Sequence, residues 1–462
     1  MTRFQLQSIV PAAALVAVLL VAPAAADSKD DLDAALTALR DGDYDAALEA
    51  AARVPDGDAW HADAVFCSAW IQAQRGNAKE ASDAYREVVT LRPGDSRAWN
   101  NLGSALDDLG ELEDAVAAYD ESIALDPRYA AAHNNRGVTL DKMGEGSDAA
   151  AAFRDAIDLD PEYAAPHNNL GAWHYENGDR KAASRSWARA AALDPGYVSP
   201  LVNSAVLDFE GDRESVAETR LWNLVKAGRA TADVWFNLGV FAHRRAGFEK
   251  ALECMEEADA LRPRHAETLN NLGVLYAHAK SSRRAERALR ACLEIEPEMA
   301  KAWDNLGLVL FRAGRYAEST EAFQKEVEFA PEAAFAHYNM GCALAAEGKV
   351  DAATTSFERA VDLAPGHVEA MHNLAVLETG HTKPDASKEL ALYERILAVD
   401  DNYAPAHLSL GRFYQSEPEH RDLKKAFRHY EHFVNLGGGD PKTVDEVLQT
   451  MEAIKLRLRR TR

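Results

Sequence analysis

The sequence predicts an all-α solenoid, and three observations carry that prediction. One pattern returns every 34 residues, each return holds two amphipathic runs, and glycine or proline punctuates the runs. The stretch Ser96–Tyr129 shows the unit most clearly. Trp99, Leu102 and Leu106 fall at i, i+3 and i+7 on one face of a first helix, which Gly110 interrupts. A second run places Ala115, Tyr119 and Ile123 on its own stripe, and Asp126–Pro127 ends it. Gly103 and Ala115 are small enough to let the two helices approach closely. Such a hairpin cannot bury its apolar face alone and needs neighbours stacked on it.

Taken in order, residues 1–26 read as a signal peptide, with Arg3, an apolar run from Ile9 to Val21 and the small residues Ala24-Ala25-Ala26 ahead of Asp27. An uncleaved anchor is the alternative; Pro11, Pro23 and the marginal length count against a spanning helix. Residues 27–61 form a degenerate capping hairpin, in which Leu32, Leu36 and Leu39 precede Gly42. Regular units fill 62–197, carrying Gly103, Gly137, Gly171 and Pro127, Pro161, Pro195 in register. Residues 198–231 keep the length but put Ala205 where glycine is expected and Arg229 where proline is, which marks a possible hinge. Residues 232–440 recover the register, with small insertions at Thr379–Ser387 and Gln415–Arg421. After Gly437-Gly438-Gly439, residues 441–462 make a capping helix with a basic tail. The Trp–Leu–Gly, later Ala, aromatic and Pro pattern at this period resembles the tetratricopeptide repeat (TPR). The resemblance implies a right-handed superhelix of about eleven or twelve hairpins, with seven or eight to the turn.

A chain of 462 residues ordinarily suggests about three domains, but a solenoid is one continuous array. Hydrophobic residues at 47% and charged residues at 27% fit a folded chain. The formal charge of −23 argues against a nucleic-acid partner. Cys67, Cys254, Cys292 and Cys342 sit on helices of different units with no CxxC pair, so free thiols are expected.

The most informative signal is a column of asparagines. Asn101, Asn135, Asn169, Asn203, Asn237, Asn271, Asn305, Asn339 and Asn373 occupy the same place in nine consecutive units. With the preceding Asn100, Asn134, Asn168 and Asn270 they account for thirteen of the 18 asparagines, so the column is not an effect of composition. Each lies mid-helix, two places after the Trp99 position and about 200° away from it, although asparagine has only modest helix propensity. A carboxamide offers a donor and an acceptor, which suits the backbone of an extended peptide. Equally, it suits a hydrogen bond to the neighbouring repeat that holds the stacking. The column resembles the groove asparagines of the TPR superhelix of O-linked N-acetylglucosamine transferases, which implies a grip on peptide backbone; the catalytic domain of that family has no counterpart here.

Beside the column, Asp108, Lys142, Arg244, His278 and Arg312 share a place two turns on, with the aromatic residues Tyr175, Phe209 and Phe311 near the wall. These are the candidate specificity residues. Val138, Ala172, Val206, Val240, Val274, Leu308, Cys342 and Val376 form an apolar floor or simply pack adjacent first helices. His133, His167 and His337 take the place of Trp99. No HExxH, phosphate loop or nucleophile constellation is present, so no catalytic residue, metal or cofactor is expected. The basic run from Lys455 to Arg462 complements a helix C-terminus or touches an anionic surface peripherally. The sequence thus points to an exported, periplasmic, non-catalytic scaffold that binds proteins or peptides in extended conformation. Presentation of substrates to a separate enzyme such as a glycosyltransferase, or a role in secretion or envelope assembly, is the alternative.

Overall fold

A computed structural model of the chain describes residues 26–380 and 385–460; the expected signal peptide, apart from Ala26, and part of the Thr379–Ser387 insertion lie outside the described residues. Among the described residues there are 25 helices and no strand. Within the two units described below, eleven pairs of consecutive helices pack as hairpins, an all-α solenoid construction. The unit at Ser96–Tyr129 becomes helices Ser96–Leu109 and Leu112–Leu125, with Gly110 between them at φ 79°. The degenerate stretch is also a hairpin, Ser199–Glu210 and Glu214–Lys226, starting one residue later than its sequence suggests.

Two features of the repeat explain how a hairpin closes. The first is a glycine into which the facing helix sets an aromatic ring. A Cβ on Gly103 would lie 2.7 Å from Cε1 of Tyr119, and one on Gly137 would lie 2.6 Å from Cε1 of Phe153. Both rings are almost fully buried. The second is the ring nitrogen at the Trp99 place, which donates to the carbonyl six residues earlier and ties the helix to its entry turn. Trp99 Nε1 meets Pro93 O at 3.0 Å and Trp303 Nε1 meets Pro297 O at 2.7 Å. Nε2 of His133, His167 and His337 reaches the same carbonyl at 3.2, 3.3 and 2.9 Å. The histidines therefore stand in for tryptophan as turn-closing groups.

The chain divides into two units, residues 1–241 and 242–462, and the division falls inside helix Ala232–Arg244, beyond the expected hinge at 198–231. In the first unit Leu102, Leu106, Ala115 and Tyr119 continue the core begun by Tyr85 and Val88. In the second, helix Pro441–Arg460 lays Val447, Met451 and Ile454 on the core that holds Tyr430 and Phe433. All four cysteines are free thiols, and burial pushes those of Cys67, Cys254 and Cys292 up to about 11.

The turn between the two helices needs a left-handed residue, and Gly110, Gly144, Gly178, Gly314 and Gly348 supply it. Asp212, Ala246 and Lys280 hold the same place at φ 58°, 57° and 56°, where an L side chain costs about 1–2 kcal/mol. Ala246→Gly should accordingly stabilise the protein by about 1 kcal/mol, measured by urea unfolding. By contrast Gly137→Ala forces the buried Phe153 ring to move and should destabilise by about 1–3 kcal/mol, read as lost exchange protection in helices Ala130–Lys142 and Gly146–Leu159.

Candidate functional site: the asparagine column

Each column asparagine lies on the first helix of its hairpin, and in the first unit the side chains are buried. Asn101, Asn135, Asn169, Asn203 and Asn237 are at most 7% exposed. An amide taken out of water must find partners, because an unpaired one costs about 1–3 kcal/mol. The partner is the asparagine one place earlier in the preceding repeat. Nδ2 of Asn135 donates to Asn100 Oδ1 at 3.1 Å, Asn169 to Asn134 at 3.0 Å, and Asn203 to Asn168 at 3.1 Å. Within each Asn-Asn pair the first Nδ2 donates to the second Oδ1, at 3.2 Å for Asn100–Asn101 and 3.3 Å for Asn134–Asn135 and Asn168–Asn169. The result is an unbroken relay that runs from Asn203 through six more carboxamides to Asn101. There Nδ2 donates to the hydroxyl of Tyr85 at 3.3 Å, a phenol whose pKa burial raises strongly.

The rule behind the relay is visible where it stops. Asn237 would need an acceptor at position 202, which is valine, and its Nδ2 turns back to Asp233 O of its own helix at 2.8 Å. In the second unit Asn305 reaches Asn270 Oδ1 and Asn339 reaches Asp304 Oδ1, both at 2.9 Å. Burial raises the Asp304 carboxyl, and the Asn339 bond opposes that rise. Tyr338 offers Asn373 no matching amide, and its Nδ2 meets Cys342 Sγ at 3.6 Å. These are separate rungs, and Asn271, Asn305, Asn339 and Asn373 are only partly buried. The apolar column changes in step. Val138, Ala172 and Val206 are buried between first helices, Val274, Leu308 and Cys342 are half-buried, and Val376 is 45% exposed.

The remaining candidates are not one surface. Lys142 pairs with the buried Asp107 of the preceding repeat, and Thr139 Oγ1 donates to the same carboxylate at 2.8 Å. Asp108 is exposed, and its carboxyl is raised by burial first and by Asp107 second. The Tyr175 hydroxyl donates to Glu210, with Arg180 over its ring at 5.9 Å. Phe209, expected at the groove wall, is instead buried and stacked on Phe241, centroids 3.9 Å apart and planes 7° from parallel. It packs between helices Ser199–Glu210 and Ala232–Arg244 instead of facing solvent. His278 is exposed and stacked on Phe248 at 3.6 Å; Arg244, Arg312 and, one turn before Asn305, Lys301 are exposed as well, while Phe311 is half-buried beside Tyr316. Phe335, four residues before Asn339, is a strongly exposed aromatic that the groove columns of the sequence did not include. Among the described residues no group of three or more His, Cys, Asp or Glu side chains is placed to hold a metal.

Family models of the tetratricopeptide repeat match residues 32–96, 134–198 and 281–334, residues 105–144, and residues 334–367. No curated protein matches. Among solved structures the chain is similar to a tetratricopeptide repeat protein from Parabacteroides merdae ATCC 43184, at 15% identity over 54% of this chain and 99% of that one, with a TM-score of 0.49. It is also similar to MamA residues 41-end from Desulfovibrio magneticus RS-1, at 20% identity over 37% of this chain and 96% of that one, with a TM-score of 0.35.

The difference between the units is measurable. Asn135→Ala breaks the relay and strands the Asn100 acceptor, so it should destabilise by about 1–3 kcal/mol, whereas Asn305→Ala, at a wetter rung, should cost about 1 kcal/mol or less. Urea unfolding of both variants, followed by exchange protection in the affected helices, checks the order.

Proposed function

We propose that this chain of tetratricopeptide repeats is a non-catalytic scaffold that binds partner proteins through extended peptide segments. The single observation that carries the proposal is the partial exposure of Asn271, Asn305, Asn339 and Asn373 beside a partly open apolar column. A half-exposed carboxamide with one Nδ2 bond still offers a carbonyl oxygen to a peptide N–H. Neighbouring first helices pack about 10 Å apart, so each rung would meet about every third residue of a strand advancing about 3.3 Å per residue. The buried Asn101, Asn135, Asn169, Asn203 and Asn237 then serve packing, and the site of capture is the second unit.

Lys301 and Arg312 flank Asn305 on the same helix face, at i−4 and i+7, and Phe335 stands beside Asn339. The preferred segment is therefore acidic with an apolar residue nearby, held by charge that salt would screen. The setting is outside the cytoplasm, in a bacterial envelope. Arg3, the apolar run and Ala24-Ala25-Ala26 support export, and no helix among the described residues is long and apolar enough to cross a membrane.

The test is a fluorescence-polarisation panel of extended acidic, basic and neutral peptides against the protein and a variant with Asn305→Ala, Asn339→Ala and Asn373→Ala. Tighter binding of acidic peptides, at least tenfold weaker in the variant at a temperature where both proteins are fully folded, supports the proposal. Equal binding by both proteins sinks it.

A further inference from the structure

At the C-terminal end of the second unit the Trp99 place is taken by His407, in helix Ala404–Ser416. Its Nε2 lies 2.9 Å from Asp401 O, the turn-closing contact described above. A carbonyl only accepts, so Nε2 carries the hydrogen and Nδ1 of the neutral ring holds the lone pair. That nitrogen lies 3.1 Å from Nδ1 of His429, on helix Leu423–Asn435. His429 must then donate from Nδ1. A proton added to Nδ1 of His407 would set N–H against N–H, and a positive charge on His429 would sit against a ring that is 3% exposed.

Titratable and charged groups come toward this hairpin from each packed element. On its own helix His429 faces Lys425 and His432, and the His432 ring lies parallel to that of His407 at 5.0 Å. From the facing helix the Tyr414 ring stacks on His429 at 5.7 Å, with Lys425 Nζ over the same ring at 4.9 Å. From helix Val368–Gly380, His372 reaches the hairpin through Ser409 at 3.5 Å. From helix Pro441–Arg460, Lys455 lies over Phe427 at 5.2 Å. The groups that act on His429 are all histidine or lysine, with no carboxylate among them.

We propose that the His407–His429 pair is an acid-released latch that holds the last hairpin closed, and with it the helix Pro441–Arg460 packed on Tyr430 and Phe433. Burial first, then His407, His432 and Lys425, lower the His429 imidazole to about 4. In the opened hairpin it returns to about 6.5. Between these values the open form binds the extra proton, so closure is at full strength above about pH 6.5 and weakens as pH falls toward 4. Terminal elements open most readily in any case. Acidification should therefore loosen this end of the unit before the rest.

The test is hydrogen exchange of the full chain at pH 7.5 and 5.5, corrected for intrinsic rates. Residues 423–460 should lose about tenfold more protection at pH 5.5 than residues 300–363, one pH unit below the open-state value. His429→Gln keeps a donor for His407 Nδ1 without a titrating ring, and should abolish the excess. Where His429→Gln fails to fold, the imidazole resonances of the unaltered protein followed by NMR against pH serve instead: the closed form should keep His429 neutral at pH 5.5, and a His429 that titrates near 6.5 in the closed hairpin overturns the latch. No excess in the unaltered protein, or an excess undiminished in the folded variant, overturns it as well.

Discussion

A carboxamide buried between two helices has one easy solution, a second carboxamide, and the first unit is built around that pairing. Asn135, Asn169 and Asn203 each donate back to the amide 35 residues earlier, and that amide donates to its own neighbour. The bonds all run in one direction, from Asn203 to the Tyr85 hydroxyl, so each polarises the next. Individually they contribute about 1 kcal/mol. Their larger consequence is register: a repeat shifted or rotated against its predecessor would strand an amide that cannot reach water. In a solenoid, where each repeat contacts only its neighbours, such a constraint acts once per interface and is transmitted through every buried interface in turn.

The same chemistry yields a different surface when the acceptor changes. Val202 ends the relay, and in the second unit Asn270 and Asp304 each accept a single bond. Partial exposure of the rungs follows, along with a half-open apolar column. Between the glycine turns, Asp212, Ala246 and Lys280 hold strained left-handed positions in three consecutive hairpins, and the division between the two units falls among them. The strained turns thus cluster around the place where the relay ends. Stability and openness are distributed unevenly, and they are set by residues outside the column itself.

Much of the fold was legible because the repeat is local. Hairpin boundaries followed from Gly110 and Pro127, and the place of His133 as a tryptophan substitute followed from the period alone. The site was less legible, because a column treats each position as alike and hides its partner. Asn101 and Asn305 look identical in sequence, yet one is buried in a relay and the other is half-exposed. Asn100, Asn134 and Asn168 stood in plain view, but only the packing of adjacent first helices shows them as the acceptors. Phe209 misled for a related reason. An aromatic on the ladder helix suggested a wall, while the neighbouring Phe241 offered a stacking partner that took it inside.

The useful unit of inference in such a chain is therefore the pair, residue n of one repeat with residue n−35, and not the column. A column asparagine preceded by an amide in the previous repeat belongs to the interior when its own neighbours continue the chain of bonds. When that place is aspartate, tyrosine or valine, the amide is left with fewer bonds and a different neighbour. The histidine pair obeys the same logic at a different place. His133, His167, His337 and His407 all close a turn through Nε2, which leaves Nδ1 as the acceptor in each neutral ring. Only at His407 does the facing helix bring a second imidazole to that nitrogen. A group repeated for structure acquires a pH dependence through the residue opposite it, just as the asparagines acquire or lose solvent contact through theirs.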